Sequence, residues 1–455
     1  MGISMCSEKA ITGIMTLDEI LQATGGILIG TGENSFSGLS IDSRKIEQGD
    51  LFVALKGDRF DGHDFLGPAL ERGSGAILSK KPQGLIQGKT IIYVRDTLQA
   101  LQTIARHRRL QKNMPVVAVT GSNGKTTTKE LIAAILNTGY RVLKNAGNLN
   151  NHIGLPLSLA KLTDEDEAVV LEMGASGPGE IKQLCDIALP DYGVLTNIGR
   201  AHLEGFRDVA TIRRTKLEIL DYVKVAVVNA DDAFLMEGVY GSDFQGKIIR
   251  YGINSPADIY ATDIRLHERG STFSLHTSDT SVEIHSGISG MFNIYNILAA
   301  SAVGALLHIK VGDISRAVGS FKGVPMRLEI RDVNGISVIS DVYNANPGSM
   351  EAAVRELARI NKGRAIAVLG DMLELGSYSE EAHTRTVGLL NDLHIDIFIA
   401  VGPLMAIAAS QFRGELYSAK SSEDARNLLK GIWRQGDFVL IKGSRGMHME
   451  KVLEG

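Results

Sequence analysis

Cysteine is nearly missing: the 455 residues hold two, Cys6 and Cys185, far apart and outside any CxxC or His-Cys spacing. That excludes a disulfide framework, offers no zinc motif and fits a reducing compartment. Net charge is small as well, with 48 Lys and Arg against 52 Asp and Glu for a formal −4. Without a basic excess there is no electrostatic case for nucleic acid or an anionic membrane surface, so a bound anion must be held by local geometry. Long apolar runs are lacking too. The longest, around Ile297 to Leu307, is too short to span a bilayer, and Glu8 and Lys9 stand where a signal peptide needs its apolar run. Low-complexity segments, internal repeats, long charge runs and heptad stripes are all absent. The expectation is a cytoplasmic monomer with no nucleic-acid partner and no membrane insertion.

What is present points to several cores. At 44% apolar residues and roughly 150 residues per domain, the chain should form about three. Its 50 glycines favour tight turns and close backbone approach to ligands. Asp50 to Leu55 reads as a strand ending in the polar loop Lys56 to His63, and Thr97 to Lys112 as a helix with Leu98, Leu101, Ile104 and Ala105 on one face, ended by Pro115. The all-apolar run Val116 to Val119, then Ala168 to Leu171 and Tyr192 to Leu195, alternate with helical stretches and predict an α/β domain reaching about Pro325. After Arg327 the alternation restarts, with strands at 336–339, 364–369, 396–401 and 437–441 and a helix over 349–360. That predicts a second, doubly wound domain.

The sharpest motif is Thr120-Gly-Ser-Asn-Gly-Lys-Thr-Thr127, after a buried strand and before a helix. Glycines turn backbone N–H groups onto phosphate oxygens, Lys125 reaches the outer phosphates, and the Thr126 hydroxyl suits Mg²⁺. Val119 stands where the first glycine of the general GxxxxGK[ST] pattern belongs. Glu172 ends the strand 168–171, where a carboxylate can supply a second magnesium contact; a solvated loop Glu is the equal alternative. His202 follows the strand 192–195, and a lone His is more often structural. Lys216 falls on a helix beside Glu218, where a surface lysine is the plain reading.

Taken in order, the motifs resemble the Mur ligases, the ATP-dependent amide-forming family of peptidoglycan synthesis. The resemblance covers essentially the whole chain: Asp42-Ser-Arg44, Gly49 to Leu55 and Asp61-Gly-His63 at the front; Thr120 to Thr127 and Gly147 to Pro156 in the middle; Asp341 to Pro347, Gly370 to Gly376 and Lys442-Gly-Ser-Arg445 at the end. It implies a small α/β domain binding a uridine nucleotide (1–112), a central P-loop-type domain with a mainly parallel sheet (113–325) and a C-terminal Rossmann-like doubly wound domain (326–455). It implies an enzyme that adds D-alanyl-D-alanine to UDP-N-acetylmuramoyl-tripeptide through an acyl phosphate, with ATP and Mg²⁺.

Residue by residue, the resemblance assigns the ATP phosphates to Gly121, Ser122, Asn123, Gly124, Lys125, Thr126 and Thr127, with Asn293, Asn296, Arg327 and Asp341 as further nucleotide contacts. Thr126, Glu172, His202 and Lys216 would surround the metal, Lys216 as a carbamate, and Lys125, His202 and Lys216 form the catalytic set. Ser43, Arg44, Asp61, Gly62 and His63 correspond to the uridine-nucleotide region. Asn148, Asn150 and Asn151 fall along the muramoyl-peptide, and Tyr343, Asn344 and Asn346 in the segment that sets this member apart from its tripeptide-forming relative. Arg200 and Met326 depart from the family, which usually has proline before Ala-His and glycine before Arg327. The tripeptide-forming enzyme, a folate polyglutamyl ligase and a nucleotide-binding module without turnover are the competing expectations. The Tyr343 to Pro347 segment speaks against the first and the front domain against the second. The joint presence of Lys125, Glu172, His202 and Lys216 speaks against the third.

Overall fold

The computed structural model describes residues 15–82, 84 and 87–454; Cys6, Glu8 and Lys9 lie outside the described residues. The chain divides into two compact units, one comprising residues up to 118 with 140–173 and 182–191, the other 119–139, 174–181 and 192–455. The division passes through the strand Val116–Thr120, all five residues of which are buried.

The first unit is built on a five-stranded sheet ordered Ile27–Gly30, Thr90–Tyr93, Gly75–Leu78, Asp50–Val53, Gly38–Ser40. All neighbours are parallel except the pair at the Ile27–Gly30 edge. Gly75–Leu78 is buried on both faces, because helices cover both. Leu17–Thr24 and Thr97–Leu110 pack on a core that includes Ile20, Leu51, Ile77, Leu101 and Ile104, while Leu66–Arg72 packs over Phe52, Ala76 and Ile91. The helix 97–110 is started by Asp96, whose carboxylate accepts from the amides of Leu98 and Gln99, and it stops two residues short of the expected Lys112. In the same unit Ala168–Glu172 runs parallel to Val142–Lys144.

In the second unit Tyr192–Leu195, Val225–Asn229, Lys247–Gly252 and Ile259–Leu266 are successive parallel neighbours, continued by the antiparallel strands Ser271–His276 and Ser281–Ser286. The helix Met291–Leu306 takes up the longest apolar run of the sequence. No described helix is long and apolar enough to cross a membrane. A separate six-stranded sheet follows, ordered Glu329–Val333, Ile336–Asp341, Phe438–Lys442, Ala365–Gly370, Ile397–Val401, Glu415–Ala419. Its first two strands form an antiparallel hairpin and the rest are parallel. Every residue of 365–370 and 397–401 is buried, between one apolar cluster holding Met350, Leu357 and Phe398 and another holding Val368, Ile399 and Leu429. This is the doubly wound expectation for the last third, with the antiparallel edge hairpin added.

Candidate active site

In the second unit the loop Gly121 to Gly124 leads into the helix Lys125–Leu136, whose first-turn N–H groups receive no side-chain cap. That leaves donors and the positive end of the helix dipole available to an anion. Gly124 has φ +81°, and a Cβ there would sit 2.4 Å from Asn296 Oδ1; a Cβ on Gly121 would sit 2.0 Å from Thr196 Oγ1. Both positions therefore require glycine. The loop is pinned from two sides. Asn197 Oδ1 accepts from the Asn123 amide at 3.0 Å, Thr196 Oγ1 donates to Asn123 O at 2.6 Å, and Ser122 Oγ donates to Gly199 O at 3.0 Å. Thr128 Oγ1 donates to Asn296 Oδ1 at 3.1 Å; Asn296 Nδ2 donates to Asn293 Oδ1 at 3.0 Å, and Asn293 Nδ2 to Ser289 O at 2.7 Å. So Asn293 and Asn296 are joined to the first turn of the helix that follows the loop.

Lys125 folds back on its own loop, donating to the carbonyls of Gly121 at 2.8 Å and Ser122 at 3.2 Å. Lys216, on the helix Val209–Leu217, is 3% exposed, with Nζ 5.7 Å from the Phe206 ring centroid. The surface reading of this residue is overturned: a buried ammonium is costly unless its site has a use for it. Burial holds the His202 imidazole below its ordinary value; Glu374 opposes that, and the ammonium groups of Lys125 and Lys216 add to it. Lys125 and Lys216 are thus each close enough to His202 to act on its charge.

Two residues of the C-terminal part, Arg327 and Asn346, meet this loop and the start of its helix. Arg327 Nη2 donates to Thr126 Oγ1 at 3.2 Å, and its guanidinium stacks 3.8 Å from the Tyr343 ring centroid. Asn346 caps the helix Pro347–Ile360 and donates from Nδ2 to Asn123 Oδ1 at 2.7 Å. Asp341 accepts from the fully buried Lys442 at 2.5 Å and from the Leu328 amide at 3.2 Å, and Asn344 Oδ1 accepts from the amides of Ala345 and Arg445. Met326 has φ +65°. The departure from glycine falls on left-handed backbone, where glycine costs least.

In the first unit Glu172 is 3% exposed, which removes the solvated-loop reading. Asn150 Nδ2 donates to its Oε1 at 2.8 Å, while Oε2 is buried without a hydrogen-bond partner. A buried carboxylate oxygen left unpaired is poorly satisfied by protein alone and suits a hard cation. Asn145, unmarked in the sequence reading, accepts from the Glu172 amide at 2.9 Å and donates to its carbonyl at 3.0 Å. The signal was an asparagine two residues ahead of the Gly147 to Pro156 motif. Asn151 Oδ1 accepts from the Gly154 amide at 2.8 Å, just ahead of the helix Gly154–Leu159, and Asn148 is exposed.

The Asp61-Gly62-His63 loop is tightly built. Asp61 accepts from His63 Nδ1 at 2.6 Å and Lys80 Nζ at 2.7 Å, with both side chains, Lys80 first, holding its carboxyl well below the usual range. His63 Nε2 accepts from the Ser79 amide at 3.0 Å, so both ring nitrogens have protein partners. A Cβ on Gly62 would lie 2.8 Å from Leu55 N. Arg44 is exposed and doubly bonded to Asp42, with Ser43 beside it half-buried.

Comparison with known proteins gives a consistent picture. Three family models match: the Mur ligase middle domain over residues 119–304, the Mur ligase glutamate ligase domain over 326–445, and the Mur ligase family catalytic domain over 35–109. The UDP-N-acetylmuramoyl-tripeptide--D-alanyl-D-alanine ligase of Bacillus subtilis (strain 168) is 37% identical over 427 residues, 92% of this chain and 92% of that protein. Its namesake from Escherichia coli (strain K12) is 37% identical over 447 residues, 96% and 97% of the two chains. A crystal structure of MurF from Acinetobacter baumannii superposes with a TM-score of 0.90 at 33% identity, covering 98% of this chain and 99% of that one. MurF ligase from Thermotoga maritima, in complex with ADP, gives 0.81 at 33% identity, covering 92% and 96%.

Proposed function

This chain belongs to the Mur ligase family, and from that membership we propose that it joins D-alanyl-D-alanine to UDP-N-acetylmuramoyl-tripeptide with ATP, giving UDP-N-acetylmuramoyl-pentapeptide, ADP and phosphate. The observation that carries this reading is the grouping, within one unit, of a glycine loop that only glycine can form with Lys125, His202 and a buried Lys216. Relatives named for that reaction match over 92% and 96% of this chain. The fold is α/β with the three-domain Mur ligase architecture; we place its parts at 1–112, 113–325 and 326–455, as a cytoplasmic monomer.

A carboxylate is a poor acyl donor at neutral pH, so the tripeptide carboxylate must take the γ-phosphoryl group before an amine can displace it. Two anions have to approach, and Lys125 and the loop amides lower that barrier by offering fixed positive charge to the transferring phosphoryl group. Ser122, Asn123, Thr127, Asn293 and Asn296 hold the loop and nucleotide in register. The dipeptide amine then attacks the acyl phosphate, a C–N bond forms, and phosphate leaves with the C–O pair.

Within the second unit Thr126 and His202 carry donors that suit magnesium, and within the first the unpaired Glu172 oxygen does so most clearly. Lys216 would fit it only as a carbamate, formed when its ammonium gives up a proton and the free amine adds to CO₂ with loss of a second proton, because an ammonium repels a cation. Magnesium, when bound, offsets charge on the phosphates. Arg327 and Asp341 complete the nucleotide contacts from the C-terminal part, where Tyr343, Asn344 and Asn346 border the dipeptide. Ser43, Arg44 and the Asp61–His63 loop serve the uridine nucleotide, and Asn148, Asn150 and Asn151 the muramoyl-peptide.

The test is phosphate release from ATP with magnesium and bicarbonate, supplying UDP-muramoyl-tripeptide, ending in diaminopimelate or in lysine, and D-alanyl-D-alanine singly and together. Release that needs both, with a pentapeptide product by mass spectrometry, is expected. Release with UDP-muramoyl-dipeptide and a free amino acid would move the chain to the tripeptide-forming branch.

A further inference from the structure

One contact within the second unit has no part in that scheme. The segment Gly199 to Phe206, which carries His202, is met by Glu374 to Tyr378 from the C-terminal part. His202 Nδ1 pairs with Glu374 Oε2; the Glu204 amide donates to Glu374 O at 3.1 Å; and Gly376 packs beside Glu204, where a Cβ would lie in ordinary contact, 3.7 Å from Glu204 Cα. Arg200 stacks 4.4 Å from the Tyr378 ring centroid and donates to its hydroxyl. His202 and Glu374 both hold left-handed backbone, at φ +53° and +62°, which non-glycine residues adopt only where their surroundings insist.

We propose that Glu374 is the positioning residue of His202. A carboxylate only accepts hydrogen bonds, so the pairing places the imidazole proton on Nδ1 and leaves the Nε2 lone pair for the reaction centre. Metal-binding histidines are oriented in this way by a carboxylate on the second nitrogen. Because Glu374 stands on the C-terminal part, the ring is set only while 374–378 is docked on 199–206. Docking and readiness for chemistry become one event. The pair is no stability device: its side chains are 34% and 59% exposed, and exposed ion pairs contribute about 0–1 kcal/mol.

The inference rests on the ligase reading, and its test separates the two. In ¹⁵N-histidine-labelled full-length protein at pH 8, without metal or nucleotide, the His202 ring should be the Nδ1–H tautomer in the wild type and shift toward Nε2–H in Glu374→Ala. With all substrates present, Glu374→Ala should lower kcat by 10- to 100-fold and raise the magnesium concentration for half-maximal rate, leaving KM for the UDP substrate unchanged. Glu374→Gln, whose amide oxygen still accepts, should recover part of the loss. On a His202→Ala background Glu374→Ala should add nothing. An unchanged tautomer overturns the proposal, as does an equal loss on the His202→Ala background, which would mean that Glu374 only docks the segment. If the wild type releases no phosphate with any substrate pair, the ligase reading fails while the tautomer experiment still judges the pairing.

Discussion

At the scale of single residues, the active loop is governed by what glycine permits and what a buried charge demands. Gly124→Ala forces a Cβ against Asn296 Oδ1 on left-handed backbone, a penalty of about 1–2 kcal/mol before any displacement of Asn296. The expected result is a fall of about tenfold or more in kcat/KM for ATP in the phosphate-release assay; an unchanged value would mean that Asn296 has no share in the loop. Glu172 presents the opposite case, a group that burdens the fold for the sake of chemistry. Glu172→Gln keeps the acceptor for Asn150 and removes a buried carboxylate charge, so the melting temperature of the free protein should rise by roughly 2–4 °C. Magnesium-dependent turnover should drop by about 100-fold. A variant less stable than the wild type would show that its Oε2 is not the cation-ready atom it is taken for.

Between elements, polar clusters connect segments that sequence proximity does not. Glu356 and Arg359 of the helix Pro347–Ile360 reach across to Ser289 and to the His267 carbonyl: Ser289 Oγ donates to Glu356 Oε1 at 2.8 Å, and Arg359 Nη2 donates to His267 O at 2.7 Å. Glu356 is 4% exposed. Arg359 also donates to both Glu356 carboxylate oxygens, at 2.8 and 2.7 Å, so Arg359→Ala leaves that buried carboxylate without this cation and should cost about 3 kcal/mol in urea unfolding, with a further loss of ATP affinity because Ser289 O holds Asn293. Asp231 ties the segment Ile253 to Ser255 to Tyr295. Burial pushes its carboxyl up, but the amides of Ile253 and Asn254 with Ser255 and Tyr295 outweigh that and hold it at about 2, against an ordinary 3.8. A folded value below the unfolded one adds stability that is complete above the ordinary value and is lost as pH falls from 3.8 toward about 2. Asp231→Asn should flatten that acid limb of the stability curve and leave its slope at neutral pH alone.

These clusters also mark where the sequence stopped being readable. Val116–Thr120 and Ala365–Gly370 were legible because burial on both faces demands unbroken apolar runs. Ser271–His276 was not, since Ser, Thr and His alternate with its apolar residues on a half-buried surface. Lys125 and Thr126 announce themselves through local spacing. Asn145, Glu356 and Glu374 take their meaning from partners 27, 67 and 172 positions away.

For the molecule as a whole, two compact units imply two melting events. The single tryptophan, Trp433, packs against the core of the C-terminal sheet in the second unit. Its fluorescence should follow that unit alone, so in denaturant the fluorescence and far-ultraviolet circular dichroism transitions should not coincide. ADP at 100 times its Kd should raise the fluorescence midpoint, by about 2.7 kcal/mol of added stability, and leave the other transition in place. Coincident transitions that move together would show that the units unfold as one. The way the division threads the chain has a further consequence for biosynthesis. The first unit ends at residue 191, yet 119–139 and 174–181 belong to the second, which also needs residues near the C-terminus. A ribosome adding about 5–20 residues per second therefore releases a nascent chain in which the phosphate-loop helix, complete at Leu136, waits roughly 9–34 s for the helix Met291–Leu306 that packs on it. During that interval its apolar face, Leu131, Ile132, Ile135 and Leu136, is a natural target for chaperones.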